Sequence, residues 1–266
     1  MKNLTILSIP CAIAAGLLAA GGLSASAQTP LLQMRAIDYN PATGVWLDSS
    51  GNGNVATYAG SSMPTLAAGV TPNGSSAVRF YNSGVMSLAT GITGGGSYTA
   101  FAYSMPTDGG DYALFGGTAW DSFEWRTYQG HQQPMQEWVA VLGTGTGALS
   151  YSSFNLMACT VTTSAGGGNM WLNGAADGAT AAASNLGQPI VFIGNNYGVG
   201  GGEAMSGLVA EIDIYSGVLS PTQISTVEAQ LTAEYVIPEP TSLAMVVGGL
   251  GLLFATRRLR RAQARH

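Results

Sequence analysis

Glu211 and Asp213 are the two side chains whose spacing comes nearest to a catalytic arrangement. Residues two apart in an extended strand project from the same face, so these two carboxyls would lie side by side. Retaining hydrolysis of a glycosidic bond uses a nucleophile and an acid/base whose carboxyl groups are about 5–5.5 Å apart. The pair is therefore the main candidate for glycan hydrolysis. The alternative is two acidic residues on the outer face of a strand.

Other catalytic side chains are scarce between residues 28 and 235. A serine or cysteine hydrolase needs a histidine base, and this stretch holds only His131, in the polar segment 129–134 that we interpret as a surface loop. Cys159 lies in the apolar segment 156–161, which predicts a buried and unreactive thiol. One histidine and one cysteine cannot close a zinc site. The sequence therefore predicts neither a hydrolase triad nor a zinc centre.

The candidate binding residues are aromatic. Carbohydrate sites combine aromatic rings with hydrogen-bonding side chains, and Trp120, Trp125 and Tyr128 occur among polar residues within the segment 120–128. We therefore expect these three rings to form a glycan-binding surface. The alternative is that most aromatic residues of this segment fill the core.

The elements that would position these residues are mostly strands. In the segment 208–215, Leu208, Ala210, Ile212 and Ile214 alternate with other residues, which predicts a strand with these four side chains on one core-facing side. Five further segments bounded by Gly, Asn or Pro have strand composition, namely 77–81, 98–103, 155–161, 169–172 and 189–193.

One helix is predicted at the end of this region. Ser220 suits the N-cap, Pro221 the first helical position, and Gln223 completes a capping box, so the helix should span about 221–235. The charge balance of residues 28–235 is three arginines against thirteen Asp and Glu, a formal −10. A nucleic-acid partner is therefore not expected, because phosphate contacts need basic surface.

The order of these pieces resembles the LamG-like, concanavalin A-like jelly-roll domain. The matching segments are the Trp-Leu-Asp-Ser-Ser-Gly-Asn-Gly-Asn loop at 46–54, the strand 77–80, the Asn-Met-Trp-Leu-Asn-Gly segment at 169–174, and the final strand with its closing turn at 207–220. The resemblance covers roughly residues 36–235, although residues 108–149 have no counterpart in the family pattern. It implies an all-β jelly-roll sandwich with a short C-terminal helix.

Two expectations about sites follow from this resemblance. LamG-like domains often bind calcium, which implies a calcium site at Asp48, Asn52 and Asn54, with the loop at Asn195 and Asn196 as the alternative. Hydrolases on the same fold carry a second glutamate after the Glu-x-Asp pair, where this sequence has Tyr215 and Ser216. The resemblance therefore implies a protein that is not an enzyme, with a glycan-acting hydrolase as the alternative.

The two ends have the pattern of processing segments. Lys2, an apolar stretch and the Ala-Ser-Ala sequence ending at Ala27 predict a signal peptide over 1–27, with a retained membrane helix as the alternative. At the other end, an apolar run at 243–255 precedes five arginines. These should remain cytoplasmic, which puts the intervening domain outside the membrane.

Pro238, Glu239 and Pro240 precede that apolar run, and the whole tail, 236–266, resembles the PEP-CTERM sorting signal with a transmembrane segment at about 242–256. The resemblance implies that the three residues are recognised by an exosortase, with an ordinary single-span membrane anchor as the alternative. We therefore expect an exported surface or matrix protein of a Gram-negative bacterium, with signal peptidase and exosortase as processing partners and extracellular polysaccharide as a ligand of the domain 28–235.

Overall fold

The computed structural model of the chain describes residues 28–118, 121–136, 139–196 and 203–236. The predicted signal peptide, the motif Pro238, Glu239 and Pro240, and the predicted membrane segment lie outside these residues. Within the described part of the chain, no helix is long and apolar enough to cross a membrane.

Strands dominate the described residues, together with one 3-10 helix (Ala36–Asp38) and one α-helix, α1 (Pro221–Tyr235). In chain order the strands are β1 (Leu32–Arg35), β2 (Tyr39–Asn40), β3 (Val45–Trp46), β4 (Ala56–Tyr58), β5 (Thr65–Ala67), β6 (Ala77–Phe80), β7 (Met86–Ile92), β8 (Ser97–Pro106), β9 (Tyr112–Gly116), β10 (Phe123–Tyr128), β11 (His131–Gln136), β12 (Ala140–Val141), β13 (Asn155–Thr162), β14 (Gly168–Leu172), β15 (Ala175–Thr180), β16 (Ile190–Ile193) and β17 (Gly207–Ser216).

The strands form two sheets. The eight-stranded sheet has the order β15-β14-β13-β8-β17-β6-β5, with β1 also paired to β17. The nine-stranded sheet has the order β12-β11-β10-β9-β16-β7-β4-β3-β2. Consecutive strands often belong to different sheets, so the chain crosses repeatedly from one layer to the other. The predicted all-β sandwich with a short closing helix is confirmed.

The main core fills the space between the two sheets. Trp46 and Trp125 from the nine-stranded sheet meet Cys159 and Ile212 from the eight-stranded sheet within one buried cluster. Apolar burial of this kind stabilises a fold by roughly 25 cal/mol per Å². The predicted burial of Cys159 is confirmed, and the loss of water around the thiol raises its pKa well above the usual value.

The strand predicted at 208–215 is present as β17, but its alternation is interrupted. The pairing with β8 shifts register between Val209 and Glu211, which is the mark of a β-bulge. Ile212 and Ile214 contact the main core as expected, whereas Leu208 and Ala210 belong to a second cluster on the opposite side of the sheet. The prediction of one shared face for all four residues is therefore wrong.

Helix α1 covers the outer face of the eight-stranded sheet. Its N-terminus has the predicted capping box, in which the Ser220 side chain accepts from the Gln223 backbone and the Gln223 side chain accepts from the Ser220 backbone. Ile224, Val227 and Leu231 are buried in the second cluster, against strands β8, β13 and β17. The helix is therefore held to the sheet by an apolar stripe.

Two tight hairpins shape the ends of the sheets. Asn173 and Gly174, with φ of 52° and 79°, join β14 to β15, as the turn-forming Asn-Gly pair in the sequence predicts. Gln129 and Gly130, with φ of 49° and 83°, join β10 to β11 in the same way. The polar segment 129–134 is therefore a turn followed by a strand, and its interpretation as a surface loop is wrong.

Candidate functional site

Arg126 is the centre of a polar cluster on the nine-stranded sheet. Its neighbour in β10, Trp125, points into the main core, so strand alternation turns the Arg126 side chain to the outer face. The guanidinium Nη1 donates to Oε1 of Glu203 at 2.7 Å and to Oδ2 of Asp111 at 3.2 Å. Its Nε and Nη2 both donate to Oε1 of Gln133, at 2.9 and 2.6 Å. Four side chains from separate segments thus meet at one surface, which we call the Arg126 cluster.

Tyr128 extends the Arg126 cluster along the same strand. It lies two residues after Arg126 and therefore on the same face, and the guanidinium carbon of Arg126 lies 5.1 Å from the centroid of its ring. The Tyr128 hydroxyl accepts a 3.1 Å hydrogen bond from Nε2 of Gln129. The ring is half-buried, so part of it remains accessible beside the polar groups.

The far side of the cluster is built by Asn196. Its side-chain amide donates to Oε2 of Glu203, the residue whose other oxygen accepts from Arg126. Gly116 at the end of β9 allows this approach, because a Cβ there would lie 2.8 Å from the Cβ of Asn196. On the near side, Nε2 of Gln133 donates to the Thr144 hydroxyl at 3.0 Å. The cluster is therefore a connected network of donors and acceptors.

The charges of the Arg126 cluster are unevenly balanced, with two carboxylates around one guanidinium. The pKa of Asp111 is raised to about 6, chiefly by burial and by the charge of Glu203, while Arg126 opposes the shift. Asp111 therefore changes protonation in a physiological range. Its carboxyl can present either a donor or an acceptor to a polar ligand, depending on the pH.

The three aromatic residues predicted to bind glycan have different positions. Trp125 is completely buried between the sheets, which corrects its assignment to a binding surface. The reason is the alternation of β10, which turns Phe123 and Trp125 inward together. Trp120 lies outside the described residues. Tyr128 is the member of the three that the structure joins to the polar groups of the Arg126 cluster.

The predicted calcium residues form a compact loop under β1. Oδ1 of Asp48 accepts from the backbone N–H groups of Gln33 and Ser50, each at 2.9 Å, and Oδ2 accepts from the Ser50 hydroxyl and from two N–H groups of Asn54. The Asn52 side-chain amide donates to the Leu31 carbonyl at 3.1 Å. Asp48 thus already accepts five hydrogen bonds, and a calcium ion there would have to replace some of these donors.

The acidic pair on β17 lies beneath helix α1. Glu211 and Asp213 are buried, each about 2% exposed, on the side of the sheet that α1 covers. Oε2 of Glu211 accepts a 2.6 Å hydrogen bond from the Tyr235 hydroxyl, and its Oε1 accepts one of 2.9 Å from Gln33. Burial is the largest cause of a raised pKa in both acids. Both acids line a cavity of about 290 Å³ between β17 and α1, and little of either side chain is exposed in it.

Hydrolysis by Glu211 and Asp213 would need a further carboxylate close to them, and Glu124 does not provide it. This residue belongs to β10 in the nine-stranded sheet, whereas Glu211 belongs to β17 in the other sheet. Glu137 lies outside the described residues. His131 makes a 3.0 Å contact from Nδ1 to the Gly147 carbonyl, away from both acids. In the part of the chain that the structure describes, no three His, Cys, Asp or Glu side chains are grouped to hold a metal ion.

Sequence and fold comparisons agree on the class of this domain. Residues 73–225, which are 153 of the 266 residues, match the laminin G-like family of the concanavalin A-like lectin/glucanases superfamily. No curated protein matches the sequence.

Among solved structures, domain 4 of AbnA, a GH43 extracellular arabinanase from Geobacillus stearothermophilus solved in complex with arabinotriose, is 16% identical. Its TM-score is 0.57, and the match covers 76% of this chain and 98% of that one. The binding domain of Paraclostridial Mosquitocidal Protein 1 is 9% identical with a TM-score of 0.57, covering 75% of this chain and 52% of that one.

A third similar structure is of botulinum neurotoxin type C, whose cell entry is described as dependent on interaction with two ganglioside molecules. It is 8% identical with a TM-score of 0.55, and the match covers 76% of this chain and 51% of that one. The chain thus spans about half the length of the toxin domains. At these identities the similarity is one of fold. Because the family match covers more than half of the sequence and the two-sheet architecture agrees with it, the chain belongs to the concanavalin A-like lectin/glucanases superfamily.

Proposed function

We propose that this protein is an exported, non-catalytic carbohydrate-binding protein of the cell surface or extracellular matrix. The observation that carries the proposal is the Arg126 cluster, where polar side chains and the ring of Tyr128 share one face of the nine-stranded sheet. Sugar hydroxyls are both donors and acceptors, so they suit a surface that offers both. The apolar face of a sugar ring packs on an aromatic side chain.

The first ligand to test is an arabinose oligosaccharide. The similar arabinanase domain was solved with arabinotriose, and it matches over 98% of its length. A neutral sugar also suits this surface, because its two carboxylates would repel an acidic polymer such as a uronate chain. We expect neutral oligosaccharides to bind more tightly than uronic acid oligomers.

A glycan array with the purified full chain tests this proposal. Tyr128→Ala removes the ring, and Arg126→Lys keeps the charge but loses the planar fork of donors. Each should weaken binding at least about tenfold, equivalent to about 1.4 kcal/mol. Tyr81→Ala is the matched control, because Tyr81 is 46% exposed and lies directly after β6, in the other sheet. Equal binding by the wild-type chain and the three variants would overturn this site. If the wild-type chain binds no glycan, a purely structural matrix protein is favoured.

The proposed export and sorting rest on the sequence of the two ends. Signal peptidase would remove residues 1–27, and an exosortase would recognise Pro238, Glu239 and Pro240 in the membrane-held precursor. Alanine substitution of these three residues in the native host should leave unprocessed precursor in the membrane. Thr241→Ala is the control and should be processed normally. Unchanged processing of the triple variant would disprove the sorting role.

The non-catalytic part of the proposal is supported by the burial of Glu211 and Asp213 beneath α1. The alternative is a glycan-acting hydrolase that uses this pair. Incubation of the full chain with the polysaccharides it binds should release no reducing ends. Release that is abolished by Glu211→Gln and kept by Glu234→Gln would establish the hydrolase instead.

Calcium at Asp48, Asn52 and Asn54 is a further part of the proposal. Oxygen-rich loops of this kind supply the ligands that calcium prefers. Calorimetric titration with calcium chloride should show one site in the wild-type chain and none after Asp48→Asn. The absence of heat from the wild-type chain would show that this loop is held by its own hydrogen bonds alone.

A further inference from the structure

A cavity lies on the opposite side of the sandwich from the Arg126 cluster. It has a volume of about 420 Å³ and opens between the second half of α1 and the outer face of the eight-stranded sheet. This volume is within the range of small-molecule sites, about 300–1,000 Å³. Its lining is mainly apolar, with Phe154, Leu156, Ala229 and Val236 among the contributors.

The floor of this cavity is a stack of aromatic rings. Tyr103 and Phe154 lie with their centroids 5.0 Å apart and their planes 19° from parallel. Tyr235 stacks on Tyr103 at 5.3 Å and 20°. Two of these rings, Tyr103 and Phe154, line the cavity. A ring face carries partial negative charge, which attracts cations.

The same cavity is lined by one carboxyl group, that of Glu228 in α1. The side chain is only 8% exposed, and its Oε1 atom is buried with no hydrogen-bond partner among the described residues. None of the ion pairs in the described part of the chain includes it. An uncompensated carboxyl is costly to bury, and α1 offers water-exposed positions on its other side. Its placement here needs a reason.

We infer that this cavity binds a small organic cation, an ammonium group carried on an apolar body. The ammonium would pair with the carboxyl group of Glu228 and neutralise its charge, while the apolar body would contact Phe154 and Leu156. A neutral hydroxyl compound would fill the same space but would supply one donor and no charge. An anion is excluded by the carboxyl itself. The cavity is separate from the Arg126 cluster, so this inference does not depend on glycan binding.

The test uses the purified full chain and two probes of nearly equal shape, 2-phenylethylammonium chloride and 2-phenylethanol, in a calorimetric or NMR titration. The cation should bind saturably, and the alcohol at least about tenfold more weakly. Glu228→Gln should abolish this preference for the cation. Glu234→Gln is the matched control, because it removes one carboxyl from the same helix outside the cavity and should leave binding unchanged.

A third variant separates loss of the ligand site from loss of the fold. Ala229→Leu places a larger side chain in the cavity and should reduce binding of the cation at least about tenfold. The melting temperature should be unchanged, because leucine is also a good helix-forming residue. Glu228→Gln should be at least as stable as the wild-type chain, because it removes an unpaired buried charge. Failure of the cation to bind, or equal binding of cation and alcohol, would overturn the inference.

Discussion

The hydroxyl of Tyr235, in the last turn of α1, donates a 2.6 Å hydrogen bond to Oε2 of Glu211 near the middle of β17. Both residues are buried, so this bond joins the closing helix to the centre of the eight-stranded sheet away from water. It also supplies one of the few donors that a buried carboxyl needs. The contact therefore couples the position of the helix to the state of the acid.

Tyr235→Phe should lower the free energy of unfolding by about 1–3 kcal/mol, because it leaves a buried carboxyl oxygen without its donor. Chemical denaturation of the full chain measures this change. Tyr81→Phe is the control, since it removes an exposed hydroxyl contact to Thr65 and should cost less than about 0.5 kcal/mol. Equal effects of the two substitutions would contradict a structural role for the bond to Glu211.

Glu211 and Asp213 should make stability depend on pH. Burial raises the pKa of Glu211, the charge of Glu234 adds to this, and Tyr235, Gln33 and Arg35 only partly oppose it. Burial and the charge of Glu211 raise the pKa of Asp213, and Gln33 only partly opposes this. The folded state therefore favours the protonated forms. Their contribution to stability is complete below the ordinary carboxyl value, near pH 4, and is lost as the pH rises through the raised folded-state values.

The expected result is that Asp213→Asn stabilises the chain at neutral and alkaline pH and reduces the loss of stability on raising the pH. Unfolding free energies of the wild-type and variant chains between pH 4 and 9 measure this. Asp38→Asn, which removes a half-buried carboxyl elsewhere in the fold, is the comparison variant. A steeper alkaline loss in Asp213→Asn than in the wild-type chain would contradict the raised pKa values.

Asp48 is expected to be a major structural residue whether or not it binds calcium. Its carboxylate accepts backbone N–H bonds from Gln33, Ser50 and Asn54, which tie the loop before β4 to β1. Asp48→Ala should therefore cost about 2–4 kcal/mol in calcium-free buffer, because several part-buried donors lose one acceptor. Asp38→Ala, which removes a single exposed acceptor for the Ser49 hydroxyl, should cost far less. A small effect of Asp48→Ala without calcium would show that the loop is organised by the ion.

The elements of this fold were predictable where a short segment contains its own signal. The capping box at Ser220 and the apolar spacing of α1 are local, and the predicted bounds of the helix agree with the structure. The turn at Asn173 is local for the same reason. The bulge in β17 depends instead on how this strand pairs with β8, so an alternation in the sequence cannot reveal that Leu208 and Ala210 turn to the other face.

The candidate site was only partly predictable, because its members come from distant segments. Asp111, Gln133 and Glu203 contact Arg126 from 15, 7 and 77 residues away. Aromatic composition favours the segment 120–128 as a binding surface, and the order of its residues contains one further signal. Trp125 and Tyr128 are three apart and so face opposite sides of an extended strand. This parity separates Tyr128 from the buried tryptophan.

The Arg126 cluster leads to a prediction about a single ionisation. Asp111 has a pKa of about 6, for which burial is the first cause and the charge of Glu203 the second. Glu203→Gln removes that charge with little change of shape, so the pKa of Asp111 should fall towards the ordinary value near 4 without reaching it, since burial remains. Carboxyl carbon chemical shifts followed by NMR against pH measure this directly.

Glu234→Gln, in the other half of the sandwich, should leave the Asp111 titration unchanged. A pKa of Asp111 that stays near 6 in Glu203→Gln would show that the two carboxyls do not interact, and the cluster would lose its role as a coupled network. If the pKa falls as expected, glycan affinity of the wild-type chain should change between pH 5 and 7, because Asp111 then turns from a hydrogen-bond donor into an acceptor. The same pH change should have less effect on Glu203→Gln, in which a larger fraction of Asp111 is ionised at the lower pH.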